Sequence, residues 1–195
     1  MQRTQALEAQ KTELASSAQA LRDANARLYE LSTRDALTGV YNRRHALEES
    51  ERLLHLADRE NRRLVLALID LDHFKRLNDE NGHLAGDRAL AEFGRLVGET
   101  LEAGDFAGRY GGEEFICMLA NGGLGRARAW AHALAERLAV GGVLWHGRVL
   151  PLTVSIGLAE REPGDGLLDA WIGRADAALY RAKNAGRNRV ECATD

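Results

Sequence analysis

Residues 64–69, Leu-Val-Leu-Ala-Leu-Ile, form an unbroken apolar run stopped by Asp70. That is the pattern of a short strand buried on both faces. Ahead of it, Asn42 is placed to cap a helix running to about Arg62. Behind it, residues 74–81 predict a short helix, and residues 85–101 a longer one with Leu90, Phe93, Leu96 and Val97 along one stripe. Segments 106–110 and 115–119 read as strands around Gly111-Gly112, a hairpin turn signal. Residues 124–140 predict another helix. A second hairpin follows, 143–145 and 148–150 around His146-Gly147, continuing into 152–159. Residues 167–183 predict a last helix that Gly186 can terminate, and 189–192 a last strand. Helices and strands alternate, yet the hairpins exclude a purely parallel sheet. The pattern predicts an α/β fold, with helices packed on a central mixed, mainly antiparallel sheet.

Residues 1–31 differ in kind. Leu7, Leu14, Leu21 and Leu28 recur every seven residues, with no Gly or Pro to break a helix. The adjoining core positions are Thr4, Lys11, Ala18 and Asn25, or Gln10, Ser17, Ala24 and Leu31, so either register gives a thin, partly polar seam. A single solvated helix would carry the same leucines. A short parallel coiled coil joining two copies is the reading adopted, and its abrupt start looks like part of a longer stalk. Residues 32–195 then form one domain with a sizeable core.

Composition narrows the setting. The 195 residues carry 26 Lys+Arg against 29 Asp+Glu, a net charge of -3, which gives no overall field for nucleic acid. No apolar run approaches the roughly 20 residues needed to cross a bilayer, so no membrane segment is expected in this chain. Two cysteines, Cys117 and Cys192, make no disulfide framework, and a cytoplasmic location is the default expectation. Cys117 and Met118 read as core.

The candidate chemistry lies where strands end. Asp70 and Asp72 are two apart, so on an extended chain both carboxylates can face one pocket. Glu113-Glu114 follows Gly111-Gly112, where a backbone can pass close to a ligand. Carboxylates converging at strand ends suit Mg²⁺, a hard ion that takes oxygen ligands and leaves positions for phosphate and water. Helix capping at Phe74 and a solvated hairpin tip are the bland alternatives for the two pairs.

Taken together these segments resemble the GGDEF family, the diguanylate cyclases. The core motif appears as Gly111-Gly112-Glu113-Glu114-Phe115, the GGEEF variant, preceded by Arg109-Tyr110. Asp35-Ala36-Leu37-Thr38-Gly39 through Arg44 resembles the family's opening segment. Ile69-Asp70-Leu71-Asp72-His73-Phe74-Lys75, with Leu77-Asn78-Asp79, Gly82-His83 and Gly86-Asp87, resembles its metal and base-recognition stretch. Residues 179–188 resemble its C-terminal segment. Four segments in family order span about residues 33–192, and the fold they imply is similar to a nucleotidyl cyclase or polymerase palm.

The resemblance implies condensation of two GTP into cyclic di-GMP with release of two pyrophosphates. It assigns Asp70, the Leu71 carbonyl, Glu113 and Glu114 to metal, with two Mg²⁺ per half-site or Mn²⁺ in their place. Glu113 is the candidate that takes the 3′-hydroxyl proton, and Lys75 stabilises triphosphate charge. Asn78 and Asp87 match guanine-reading positions, and a carboxylate suits guanine N1–H and its 2-amino group; Asp87 as an ordinary helix N-terminal acid is the alternative. His83 lines the same pocket. Phe74, Gly111 and Gly112 approach the phosphates. Lys183 and Arg187 match phosphate-binding positions, though cations near a helix C-terminus also complement its dipole.

One departure stands out. Many family members carry an Arg-x-x-Asp product-binding site just before the core motif; here the stretch is Glu102-Ala103-Gly104-Asp105. Glu102 replaces the arginine, so the inhibitory site is expected to be lost although Asp105 is retained. The two-fold product implies a homodimer through the N-terminal helix and face-to-face catalytic domains, with an upstream sensor domain expected beyond this chain. A silent sensor of GTP or cyclic di-GMP, and a pure dimerisation module, are the competing readings; intact Asp70, Glu113, Glu114, Lys183 and Arg187 count against both.

Overall fold

The apolar run becomes the central strand. The computed structural model describes residues 2–60, 62–120, 122–162 and 167–193, and the chain divides into two units, residues 1–34 and 35–195. The first unit is one helix, α1 (Gln2–Thr33), two residues longer at its end than the heptads predict. Leu14, Leu21 and Leu28 along it are 63–70% exposed.

In the second unit the elements run α2 (Arg43–Glu60), β1 (Leu64–Leu71), α3 (Phe74–Asn81), α4 (His83–Thr100), β2 (Phe106–Arg109), β3 (Glu114–Ala120), α5 (Gly123–Gly141), β4 (Val143–Trp145), β5 (Arg148–Leu150), β6 (Val154–Glu160), α6 (Leu168–Asn184) and β7 (Arg189–Cys192). The expected cap holds: Asn42 Oδ1 accepts from the His45 amide at 3.0 Å. The main sheet has the order β2-β3-β1-β6-β7, antiparallel except for β6 with β7. The fold class is therefore the one the pattern predicts.

The sheet is covered on both faces, which explains the continuous apolar run. Val65, Ala67, Ile69 and Leu71 of β1 pack with Leu90, Phe93 and Val97 of α4 and with Ala131 and Leu134 of α5. Leu64, Leu66 and Leu68 face the other way, toward Leu54 of α2 and Trp171, Ala175 and Leu179 of α6. Two-residue alternation thus assigns each side chain to one of two cores. Phe93 and Phe115 meet edge to face at 4.7 Å between centroids, and burial of a side chain that size contributes about 1.5–3 kcal/mol. At Gly157 the α6 backbone lies flush on β6: a Cβ there would fall 2.2 Å from the Ala175 carbonyl oxygen and 2.3 Å from the Leu179 nitrogen.

Two expectations need correction. The second hairpin does not continue into β6, because β4 and β5 form a separate two-stranded sheet. β1 also runs on past Ile69 to Leu71, since Asp70 and Leu71 still pair with Ser155 and Val154 of β6. A charged residue inside a strand end goes unseen by an apolar-run criterion.

Candidate active site

The extra residues of β1 build the site. The register sets Asp70 directly opposite Glu114, the first residue of β3. Like charges across a sheet repel, so this pairing calls for a cation. Lys183, in the last turn of α6, supplies one, with Nζ 2.8 Å from Asp70 Oδ2. Burial pushes the Asp70 carboxyl above the ordinary aspartate value. Lys183 opposes that rise, the Asp72 charge adds to it, and the Arg187 charge opposes it.

The loop between β2 and β3 is held from outside by Arg109. Its Nε and Nη2 donate to the Gly112 carbonyl at 3.1 and 2.8 Å, and its Nη1 reaches Asp35 at 3.3 Å. Asp35 accepts in turn from the Thr38 amide and hydroxyl at 2.9 and 2.7 Å. Burial raises the Asp35 pKa, but the Thr38 hydrogen bonds and the Arg109 charge outweigh it and leave the carboxyl below its ordinary value. Gly111 leaves room for a carboxylate, since a Cβ there would lie 2.5 Å from Glu114 Oε2. Glu113 is half-buried, and its carbonyl accepts from the Leu71 amide at 3.3 Å. Loop and strand end are thus tied together.

α3 and α4 meet closely at Gly86. Gly86 presses on Asn78, whose Oδ1 is buried with no hydrogen-bond partner among the described residues. An orphaned buried acceptor is costly unless a ligand satisfies it. Asp87 and His83 are exposed on α4, and Lys75 is exposed in the first turn of α3, beside buried Phe74. Arg187 is exposed in a left-handed turn past α6.

Asp70, Glu113, Glu114 and the Leu71 carbonyl are all hard oxygen donors, the kind Mg²⁺ or Mn²⁺ takes. Among the described residues no three acidic, His or Cys side chains stand together as a metal cluster. The Lys183 ammonium already sits on Asp70, and oxygen donors are of the chemical type that suits a divalent ion.

Two carboxylates have surroundings that the sequence reading does not show. Asp72 does not share a pocket with Asp70, because its carboxylate is consumed by Thr153, Ser155 and the Asn188 amide. Nor does it cap α3, whose N-cap is His73 without a side-chain bond. Asp105 is fully enclosed: it accepts from the Ala120 amide at 2.8 Å and the Glu102 amide at 3.1 Å, and it pairs with Arg126. Arg126 also donates to the Ala120 carbonyl at 2.7 Å and pairs with Glu102 at 3.1 Å. Arg109, Asp35 and Arg126 carry much of this organisation. Arg109 was visible as the residue before Tyr110; nothing in the sequence singles out Arg126, 21 positions from its partner.

Comparison with known proteins follows the same lines. Residues 32–189 match the family described as "Diguanylate cyclase, GGDEF domain". The chain is 40% identical over 159 residues to diguanylate cyclase DgcP of Pseudomonas aeruginosa, covering 82% of this chain and 24% of that protein. It is 38% identical over 172 residues to the probable diguanylate cyclase DgcC of Escherichia coli, covering 86% of this chain and 45% of that one. The chain therefore spans less than half the length of these curated relatives. Among solved structures, the coiled coil and GGDEF domain of DgcB from Caulobacter crescentus, in complex with c-di-GMP, superposes with a TM-score of 0.86 at 30% identity, covering 96% and 99% of the two chains. The active GGEEF domain of a Vibrio cholerae diguanylate cyclase gives 0.74 at 31% identity, covering 79% and 97%.

Proposed function

The chain belongs to the GGDEF-domain family of diguanylate cyclases, and from that premise we propose that it condenses two GTP into cyclic di-GMP and two pyrophosphates. The observation that carries this reading is the strand register that sets Asp70 against Glu114, with Lys183 already bridging to the carboxylate. An acidic pair facing a basic helix end is built to hold a polyphosphate with its counter-cations.

GGDEF cyclases are generally metal-dependent. Two Mg²⁺, or Mn²⁺, held by Asp70, Glu113, Glu114 and the Leu71 carbonyl would neutralise triphosphate charge. This chain's own groups do the rest. Asn78 and Asp87 hold the guanine edge, with His83 beside them. Lys75, Lys183 and Arg187 bind the phosphates, and Phe74, Gly111 and Gly112 shape the floor. Glu113 accepts the 3′-hydroxyl proton as that oxygen attacks the α-phosphorus of the other nucleotide. The bond to the β-phosphate breaks, pyrophosphate leaves, and the same displacement in the opposite sense closes the ring.

Each domain holds one GTP, so two copies must face each other. The exposed leucines of α1 offer the seam for a parallel homodimer, which raises the effective concentration of one domain beside the other. No helix among the described residues is long and apolar enough to cross a membrane; a cytoplasmic site of action, under an upstream sensor, completes the proposal. Product inhibition through residues 102–105 is weak or absent, because Glu102 repels phosphate and Asp105 is spent on Arg126. Tight product binding abolished by Asp105→Ala would overturn that point.

Incubation with Mg²⁺ and GTP, and with GTP plus ATP, followed by chromatography of the products, tests the activity. Cyclic di-GMP from the wild type and none from Glu113→Gln is expected. GTP binding without product at any protein concentration would sink the cyclase reading in favour of a silent sensor.

A further inference from the structure

Asp72 is a buried carboxylate that accepts from three donors, yet nothing above gives it a part in the reaction. It sits one residue past β1 and is 5% exposed. Its amide donates to the Thr153 carbonyl at 2.9 Å. Its Oδ1 accepts from the Ser155 hydroxyl at 2.7 Å, and its Oδ2 accepts from the Thr153 hydroxyl at 2.8 Å. The remaining bond crosses 116 positions: Oδ2 also accepts from the backbone amide of Asn188 at 3.0 Å.

That last contact lands on an unusual piece of chain. After α6, Gly186, Arg187 and Asn188 all have positive φ, at 112°, 64° and 45°. Side-chain-bearing residues avoid this region, and two in succession persist only where the surroundings hold them. The Arg187 amide is tied back to the Ala182 carbonyl at 3.0 Å, which anchors the turn to α6. The Asn188 amide is tied to Asp72, which anchors it to the strand end carrying Asp70. The turn is thereby pinned on both sides of Arg187.

We infer that Asp72 is a positioning residue. It holds the left-handed turn so that Arg187 reaches the terminal phosphates of the nucleotide bound beside Asp70. This inference rests on the phosphate role proposed above for Lys183 and Arg187. A carboxylate suits the task because three donors converge on it and it offers acceptors only. Asp70 and Asp72 then divide the work: the first faces the ligand, and the second orients the cation opposite.

The test is calorimetric and needs no turnover. Dissociation constants of guanosine 5′-(β,γ-imido)triphosphate and of GMP are measured with Mg²⁺ for wild type, Asp72→Ala, Asp72→Asn, Arg187→Gln and the Asp72→Ala/Arg187→Gln pair. Asp72→Ala should weaken the triphosphate about tenfold, the loss of one charge-assisted contact. It should leave GMP within about twofold, since GMP lacks the β- and γ-phosphates. The double variant should be little worse than Arg187→Gln alone, because both remove the same contact. If Asp72→Ala fails to fold, Asp72→Asn carries the test, with a selective loss of about threefold expected from its single acceptor oxygen. Equal weakening of both nucleotides, no weakening of the triphosphate, or multiplied effects in the double variant would overturn the inference. A wild type that binds neither nucleotide would instead strike the reading beneath it.

Discussion

Gly86→Ala sets a local gain against a functional loss. Gly86 lies inside α4, where replacing glycine with alanine normally favours folding by about 1 kcal/mol. Here the new Cβ would fall 1.9 Å from Asn78 Oδ1 and 3.1 Å from Phe74 Cζ. The first separation is about 1.5 Å short of ordinary contact at 3.4 Å, so Asn78 must leave. Its amide is the far end of a flexible side chain, and Oδ1 has no partner among the described residues, so swinging it out breaks no bond that atom makes to them. Folding stability should therefore change by less than about 1 kcal/mol, with helix propensity offsetting the Phe74 adjustment. Nucleotide binding should suffer far more. Loss of one or two hydrogen bonds to the guanine edge costs about 1–3 kcal/mol, or ~5- to 150-fold in dissociation constant. Calorimetry with a non-hydrolysable GTP analogue measures the loss, and urea denaturation of the same preparation measures stability. Asn78→Ala should show a loss of the same size, and the two changes together should not add. A folded Gly86→Ala protein that binds within about twofold of wild type would refute the assignment of Asn78 to guanine.

Three further outcomes are expected. Arg126→Met strips the cation from fully enclosed Asp105 and should destabilise the domain by about 3 kcal/mol, or roughly 6–12 °C in Tm; a shift under ~2 °C by circular dichroism would show that the backbone amides alone satisfy Asp105. Asp35 has a lowered pKa in the folded state, so its stabilisation is present above the ordinary aspartate value near ~4 and is lost as pH falls through the folded value. The stability gap between wild type and Asp35→Asn should accordingly narrow from pH 6 to about pH 3, and a gap constant in urea melts would contradict the sign. Removing residues 1–31 should make cyclase activity per domain fall on dilution, whereas activity independent of concentration would argue against the helical seam.

Much of the fold is legible in the sequence because its signals are local. The run from Leu64 to Ile69 announces a strand covered on both sides, the Asn42 cap opens α2, and the heptad leucines fall on one unbroken helix. The ordered motifs also carry the family, since residue types at fixed spacing survive without coordinates. Partners across the sheet are another matter. Asp70 and Asp72 are the same residue type two positions apart, yet one meets Lys183 and the other meets Thr153, Ser155 and the Asn188 amide. Asp105 reads as a remnant of a product site, yet Arg126 from α5 encloses it. Periodicity tells a residue which face it occupies. Only the strand register and the packing of α5 and α6 decide which charge waits there, because a carboxylate's role is set by the donors within about 3 Å and not by its neighbours in the chain.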